Sequence, residues 1–270
     1  MARIGLSSVC FLARPFWEGV EFTLAQGIPH LEVYSDFPHA WPGEFSAEER
    51  ARLRKMLEAG GVTASVHSPA YGLNLASLNP GLRRCSMEQV IDAVRLAGEL
   101  GAENVVVHGG AEHFLHAEMR GETRRRSREA LLASLAGCAS AAEQAGVMLC
   151  LENLTAPEAL PRTLGEVAET VRHLSHPALR ITLDLAHFTL CQEPVASLTA
   201  AADLIRHVHL SDNHREDDSH LPLGEGSIDF APFRDFLRSF AGPVVMEVED
   251  IDDPRAKALA SWRWLAAFLG

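Results

Sequence analysis

The 270-residue chain reads as one (β/α)₈ barrel, and three observations carry that reading. Short apolar runs rich in Val, Ile and Leu alternate with longer amphipathic stretches, eight of each can be counted, and no low-complexity or Pro/Gly-rich linker divides them. Alternating strand and helix patterns imply a parallel sheet, and eight such units close a barrel. A single barrel commonly takes about 250 residues, so one domain is expected to span the chain from residue 1 to 270. An open doubly wound sheet would be expected to carry a GxGxxG turn after its first strand, and none is present.

Taken in order, the first unit is a strand over Arg3–Ser8 and a helix over Phe16–Gln26. The second joins His30–Ser35 to Ala47–Ala59; Ser46 before Ala-Glu-Glu supplies an N-cap with acidic residues in the first turn. Gly60-Gly61, Gly101 and Gly146 follow helical stretches where a left-handed C-cap is needed. They close the second helix, the third unit (Val62–His67, Gly81–Leu100) and the fourth (Asn104–His108, Thr123–Ala145). The remaining pairs are Val147–Glu152 with Leu164–Leu174, Leu179–Asp184 with Pro194–Ala202, Ile205–Leu210 with Pro232–Phe240, and Pro243–Glu247 with Pro254–Phe268. The longest irregular stretches, Ser68–Pro80 and Asp212–Ile228, directly follow strands, so in a barrel they rim the active-site face.

Composition narrows the function. With 47% of residues hydrophobic, a large core is easily filled. The formal charge of −12 repels polyanions and argues against a nucleic-acid partner. The one dense basic run, Arg124, Arg125, Arg126 and Arg128, falls in a helical stretch and reads as a solvated face. Lys55 and Lys257 are the only lysines and both fall in helical patterns, which excludes a Schiff-base lysine at the barrel mouth. Five cysteines without CxxC spacing (Cys10, Cys85, Cys138, Cys150, Cys191) suit free thiols in a reducing compartment. No basic start leads into a long apolar stretch and no run reaches membrane-spanning length, so the expected location is cytoplasmic.

The informative pattern is where ionisable residues fall. Six consecutive strands end in a metal-competent side chain: His67, His108, Glu152, Asp184 (with His187 following), His209 and Glu247. A barrel would bring all of them to one rim, within reach of a shared ion. Other histidines lack such support. His30, His39, His173 and His176 read as surface or internally satisfied residues; His113, His116 and His214 lie on the functional face without a partner pattern. His207 shares the strand parity of His209 and reads as lying deeper on the same face. Gly224-Glu-Gly226 sits where barrels often bind phosphate, although a tight turn explains two glycines equally well.

At these positions the chain resembles the xylose isomerase-like superfamily of barrels, which holds sugar (phosphate) isomerases and epimerases and also endonuclease IV. The resemblance rests on His67-Ser-Pro-Ala-Tyr with Asn74-Leu-Ala-Ser, Val-Val-His108-Gly-Gly, and Leu-Glu152-Asn. It continues through Asp184-Leu-Ala-His187, His209-Leu-Ser-Asp-Asn, His220-Leu-Pro-Leu-Gly-Glu-Gly and the late Glu247, in order from Val62 to Glu247. The isomerase and epimerase members imply one divalent ion held by Glu152, Asp184, His209 and Glu247, with His187 and Arg215 holding the substrate. The endonuclease members imply two further zinc positions, one at His67 and His108 and the other at His187, Asp218 and His220; the neighbouring Asp217 leaves that carboxylate open by one residue.

Two Glu, one Asp and one His suit Mn²⁺, Mg²⁺ or Co²⁺ as well as Zn²⁺, and the outer histidines shift the preference towards Zn²⁺, up to three ions in all. The expected chemistry is metal-assisted proton transfer next to a carbonyl in a sugar or sugar phosphate, through an ene-diolate, with Glu152 and Glu247 as the acid–base pair. The alternatives are a zinc-dependent endonuclease acting at abasic sites and a dehydratase of a polyol or cyclic keto substrate. Against the nuclease, the loop His67-Ser-Pro-Ala-Tyr71 is one residue longer than its His-x-Pro-Tyr pattern, which would displace Tyr71. A homo-oligomer is compatible with the resemblance, but no segment marks an interface.

Overall fold

The alternating apolar runs become β1 (Arg3–Ser7), β2 (His30–Tyr34), β3 (Thr63–His67), β4 (Asn104–Val107), β5 (Met148–Glu152), β6 (Leu179–Asp184), β7 (Ile205–Leu210) and β8 (Pro243–Met246). The computed structural model describes residues 3–112 and 116–270. Each strand runs parallel to the next, and β1 pairs with both β2 and β8, so the sheet closes without a free edge. The helices are α1 (Phe16–Gln26), α2 (Ala47–Gly60), α3 (Pro80–Leu100), α4 (Arg120–Ala145), α5 (Leu164–Leu174), α6 (Leu185–Leu190), α7 (Val195–Ala201), α8 (Arg234–Ser239) and α9 (Pro254–Leu269).

The caps form as the residue types dictate. Ser46 and Glu49 make a reciprocal capping box on α2, and Gly61, Gly101 and Gly146 close α2, α3 and α4 in the left-handed conformation. Asn79 caps α3 just before Pro80, whose missing N–H costs nothing at a first-turn position. Two elements depart from the sequence reading. Helix α6 was not anticipated: at six residues it is too short for a 3.6-residue pattern to register, and it exists because the Asp184 carboxylate caps it, accepting the His187 N–H at 2.6 Å. The expected helix Pro232–Phe240 splits into a 3₁₀ turn at Ala231–Phe233 and the short α8.

Strand alternation then sorts the side chains. Leu31, Val33, Val66, Val105, Leu149, Leu151, Ile181, Leu183, Val208 and Val244 belong to the continuous apolar core. The intervening positions include Glu32, Ser65, Thr182, His207 and His209, all fully buried and polar. Register sets them side by side across the sheet: Glu32 pairs with Ser65, and Asp184 pairs with His209.

Candidate metal centre

Strands β5, β6 and β7 and the residue after β8 deliver Glu152, Asp184, His209 and Glu247, whose ligand atoms all lie within 4.8 Å of one another. His209 Nδ1 stands 3.0 Å from Glu152 Oε1 and 3.2 Å from Glu247 Oε2. All four residues are buried. One oxygen of Asp184 caps α6, while the other, Oδ2, is buried with no hydrogen-bond partner.

The electrostatics follow from three carboxylates around one imidazole. Burial pushes the Glu247 carboxyl up to about 7, and burial likewise raises Asp184. Burial acts on Glu152 too, but His209, His108 and His67 outweigh it and hold that carboxyl well below its usual range. A buried carboxylate oxygen left without a donor is costly, and three acidic groups converging on a dry site call for positive charge. The donor set therefore fits a divalent cation.

Two outer groups flank the quartet. His108 Nε2 lies 3.0 Å and His67 Nε2 3.5 Å from Glu152 Oε2. On the other side, His187 Nε2 lies 2.9 Å and His220 Nε2 3.4 Å from the Asp218 carboxylate. His67, His187 and His220 each turn Nδ1 to a backbone carbonyl, of Ser68, Asn153 and Glu247 respectively, at 2.7–2.8 Å. The backbone thus fixes each ring and leaves Nε2 facing the cavity. Burial opposes charge on His187 and His220, yet Asp218 and, for His187, Asp184 prevail and push both rings up to about 10. The same histidines overcome burial at Asp218 and hold its carboxyl far below the usual range.

The structure thus brings together the predicted quartet and both outer groups, and it selects Asp218 rather than Asp217. A cavity of about 290 Å³ opens above them, lined by His67, His108, His187, Asp218, His220 and Glu247 together with Tyr34, Tyr71 and Glu249. Tyr71 stands at its rim, 73% exposed, so the longer loop does not remove it from the mouth. Asp36 holds that loop by accepting the Ala70 and Tyr71 N–H groups.

Arg215 departs from expectation. Its backbone is left-handed (φ 66°), its N–H donates to Asn213 Oδ1, and its side chain lines a separate depression with Phe188, Gln192 and Glu193. Arg215 is not among the residues that line the cavity above the quartet. His116 and His214 are exposed and belong to none of the ligand groups, and His113 lies outside the described residues. Gly224 and Gly226 form a turn and not a phosphate cup: the N–H groups of Gly224 and Ile228 are spent on the buried Asp212 carboxylate. A Cβ at Gly226 would collide with that carboxylate. Of the basic run, Arg125 and Arg126 pair with Glu122 and Arg128 with Glu169 on a solvated face as expected, whereas Arg124 turns inward to the buried Glu112 and to Glu166.

Sequence reasoning missed Glu32. It lies in mid-strand in His-Leu-Glu-Val-Tyr, away from the strand ends that carry the quartet, yet it approaches His209 and His207. The available signal was an acidic residue inside an otherwise apolar strand.

Comparison with known proteins agrees with the fold. Residues 18–268 match the family described as xylose isomerase-like TIM barrel. A crystal structure of a D-tagatose 3-epimerase-like protein superposes with a TM-score of 0.85 at 25% identity, covering 99% of this chain and 97% of that one. An uncharacterised protein of Methanocaldococcus jannaschii is 27% identical over 92% of this chain and 83% of its own length. A probable endonuclease 4 of Mycobacterium ulcerans is 27% identical over 84% of this chain and 87% of its own. Fold and site together define a barrel enzyme with a His/carboxylate centre at the strand ends. The chain belongs to the xylose isomerase-like TIM barrel family.

Proposed function

We propose that the protein is a divalent-metal-dependent sugar epimerase or isomerase acting next to a carbonyl. One observation carries the reading: two buried carboxylates from different strands, Glu152 and Glu247, flank a single imidazole at the floor of a sugar-sized cavity, and their proton affinities differ. The likeness to the D-tagatose 3-epimerase-like protein over nearly the whole of both chains supports it.

Glu152, Asp184, His209 and Glu247 would hold the ion, and Mn²⁺, Mg²⁺, Co²⁺ and Zn²⁺ all suit this oxygen-rich set. When bound, the cation supplies Lewis-acid polarisation of the substrate carbonyl. The chain supplies the proton chemistry. Glu152, kept ionised by its histidines, takes a proton from the substrate carbon, and Glu247, which burial disposes to hold a proton near neutral pH, returns one. His187 and His220, fixed by their carbonyl partners, orient substrate oxygens. Among the described residues no Lys or Arg lines the cavity, whereas Asp218, Glu247 and Glu249 do. Such a lining suits an uncharged sugar better than a sugar phosphate.

A panel of free ketoses and their phosphates, incubated with metal-loaded protein in deuterated water, tests the reading. The expected product is an epimer of a free ketose carrying one deuterium at the inverted carbon. An absence of exchange across the panel would sink it, and loss of water from the substrate would point to a dehydratase.

The two outer groups and the endonuclease 4 relatives favour one second reading, a three-zinc phosphodiesterase. It requires three Zn²⁺ per chain and nicking of duplex DNA at an abasic site, both directly measurable.

A further inference from the structure

Beneath the quartet lies a sealed polar layer that the proposed chemistry does not use. Glu32 on β2 is fully buried at its centre. His209 Nε2 approaches its carboxylate at 3.2–3.3 Å, His207 Nε2 lies at 2.9 Å, and the Ser65 hydroxyl donates to it at 3.0 Å. Ser65 in turn contacts His30 Nε2 at 3.0 Å, and His30 Nδ1 contacts Thr63 Oγ1 at 2.8 Å. Gly5 makes room for the His30 ring, since a Cβ there would come within 2.8 Å of His30 Cδ2.

The donors run in one direction. Because Ser65 gives its hydroxyl proton to Glu32, its oxygen accepts from His30 Nε2–H, and His30 Nδ1 lies against the Thr63 hydroxyl, which also reaches the Pro29 carbonyl at 3.3 Å. The chain terminates on the Glu32 carboxylate, which accepts from Ser65 and, on its other side, faces His209 Nε2 at 3.2–3.3 Å as an acceptor. A proton fixed on His209 Nε2 leaves Nδ1, the atom facing Glu152 and Glu247, for the cation.

From this geometry we infer that Glu32 is a positioning residue that sets the tautomer and ring orientation of His209 for metal binding, with Ser65 and His30 holding Glu32 in place. The inference rests on the metal-binding part of the reading above and not on the sugar chemistry. Carboxylate partners of ligating histidines change metal affinity by about 10- to 100-fold when removed.

The test compares wild type with Glu32→Gln, Glu32→Ala and Ser65→Ala, by Mn²⁺ titration calorimetry and by NMR of the imidazole N–H protons in metal-free protein. In wild type a slowly exchanging, downfield His209 Nε2–H resonance is expected. Mn²⁺ affinity should fall about 10- to 100-fold in Glu32→Ala with loss of that resonance. Glu32→Gln, which keeps an acceptor oxygen, should fall less, and Ser65→Ala least. If Glu32→Ala does not fold, Glu32→Gln decides. Wild-type affinity with an unmoved resonance in a folded Glu32→Gln protein overturns the inference, as does absence of the resonance in wild type. Failure of wild type to bind Mn²⁺ would instead refute the metal reading and leave the resonance to decide. Neither measurement uses a sugar, so failure of the epimerase reading is seen separately.

Discussion

At the barrel mouth, Glu152, Asp184 and Glu247 crowd around His209 and leave Asp184 Oδ2 without a partner. One strand repeat below, Glu32 is just as buried, and Ser65, His207 and His209 stand around it, although its Oε1 likewise has no hydrogen-bond partner. Both regions use carboxylates and imidazoles inside the same barrel. The sealed layer has one carboxylate among imidazoles and a hydroxyl; at the mouth three carboxylates converge on His209, while His67 and His108 reach Glu152 from the other side. Several buried carboxylates converging on one point suit a cation, whereas a single carboxylate between a hydroxyl and a ring holds neighbouring groups still. His209 belongs to both, with Nδ1 in the first and Nε2 in the second.

The comparison breaks most visibly at Glu247. Glu247→Gln keeps the shape but removes the carboxylate, and kcat for the epimerisation should fall about 10²- to 10⁴-fold. In metal-free protein at pH 8 the same change should raise the Tm. A carboxyl whose folded pKa is raised to about 7 costs the fold stability progressively from its ordinary value near 4.5 up to about 7, and fully above that. Thermal melts of the two proteins in chelator would read the difference, at roughly 2–4 °C for each kcal/mol relieved.

The outer group sharpens the contrast through pH. His187 and His220, raised to about 10 beside Asp218, contribute stability that is fully present below the ordinary histidine value of 6.5 and is lost as pH rises towards 10. Metal-free protein should therefore lose Tm between pH 6.5 and 10. A His220→Gln variant should show a flatter alkaline limb. An unchanged slope in that variant would remove the group from the stability balance.

Smaller effects mark the borders of the two regions. Gly226→Ala forces a Cβ against Asp212, whose carboxylate holds the loop carrying Asp218 and His220, and should cost about 1–3 kcal/mol in denaturant melts. Arg54→Ala, which breaks an exposed i,i+4 pair with Glu58 far from either region, should cost no more than about 0.5 kcal/mol.

Much of this was legible in the chain. The short apolar runs located all eight strands, and the caps at Ser46, Gly61, Gly101 and Gly146 marked helix ends to within a residue. The quartet was visible because each ligand ends a strand, a position with its own local signature. Helix α6 was not visible, since one capping carboxylate makes it and no periodicity can build up over so short a span. Nor was the placement of Arg215, a left-handed residue whose N–H is held by Asn213 and which lines a different depression.

Sequence by itself determined which side of each strand faces inward and which residue ends it, because alternation and capping are properties of neighbours along the chain. It thereby determined that His and carboxylate groups would meet at one rim. Only the tertiary structure decided which of them meet: that Asp218 and not Asp217 joins His187, that Arg215 leaves the mouth, and that Glu32 reaches a histidine 177 residues away. Those contacts depend on how the strands lie against one another when the barrel closes, and that register is set by the packing of the whole sheet, not by any one segment.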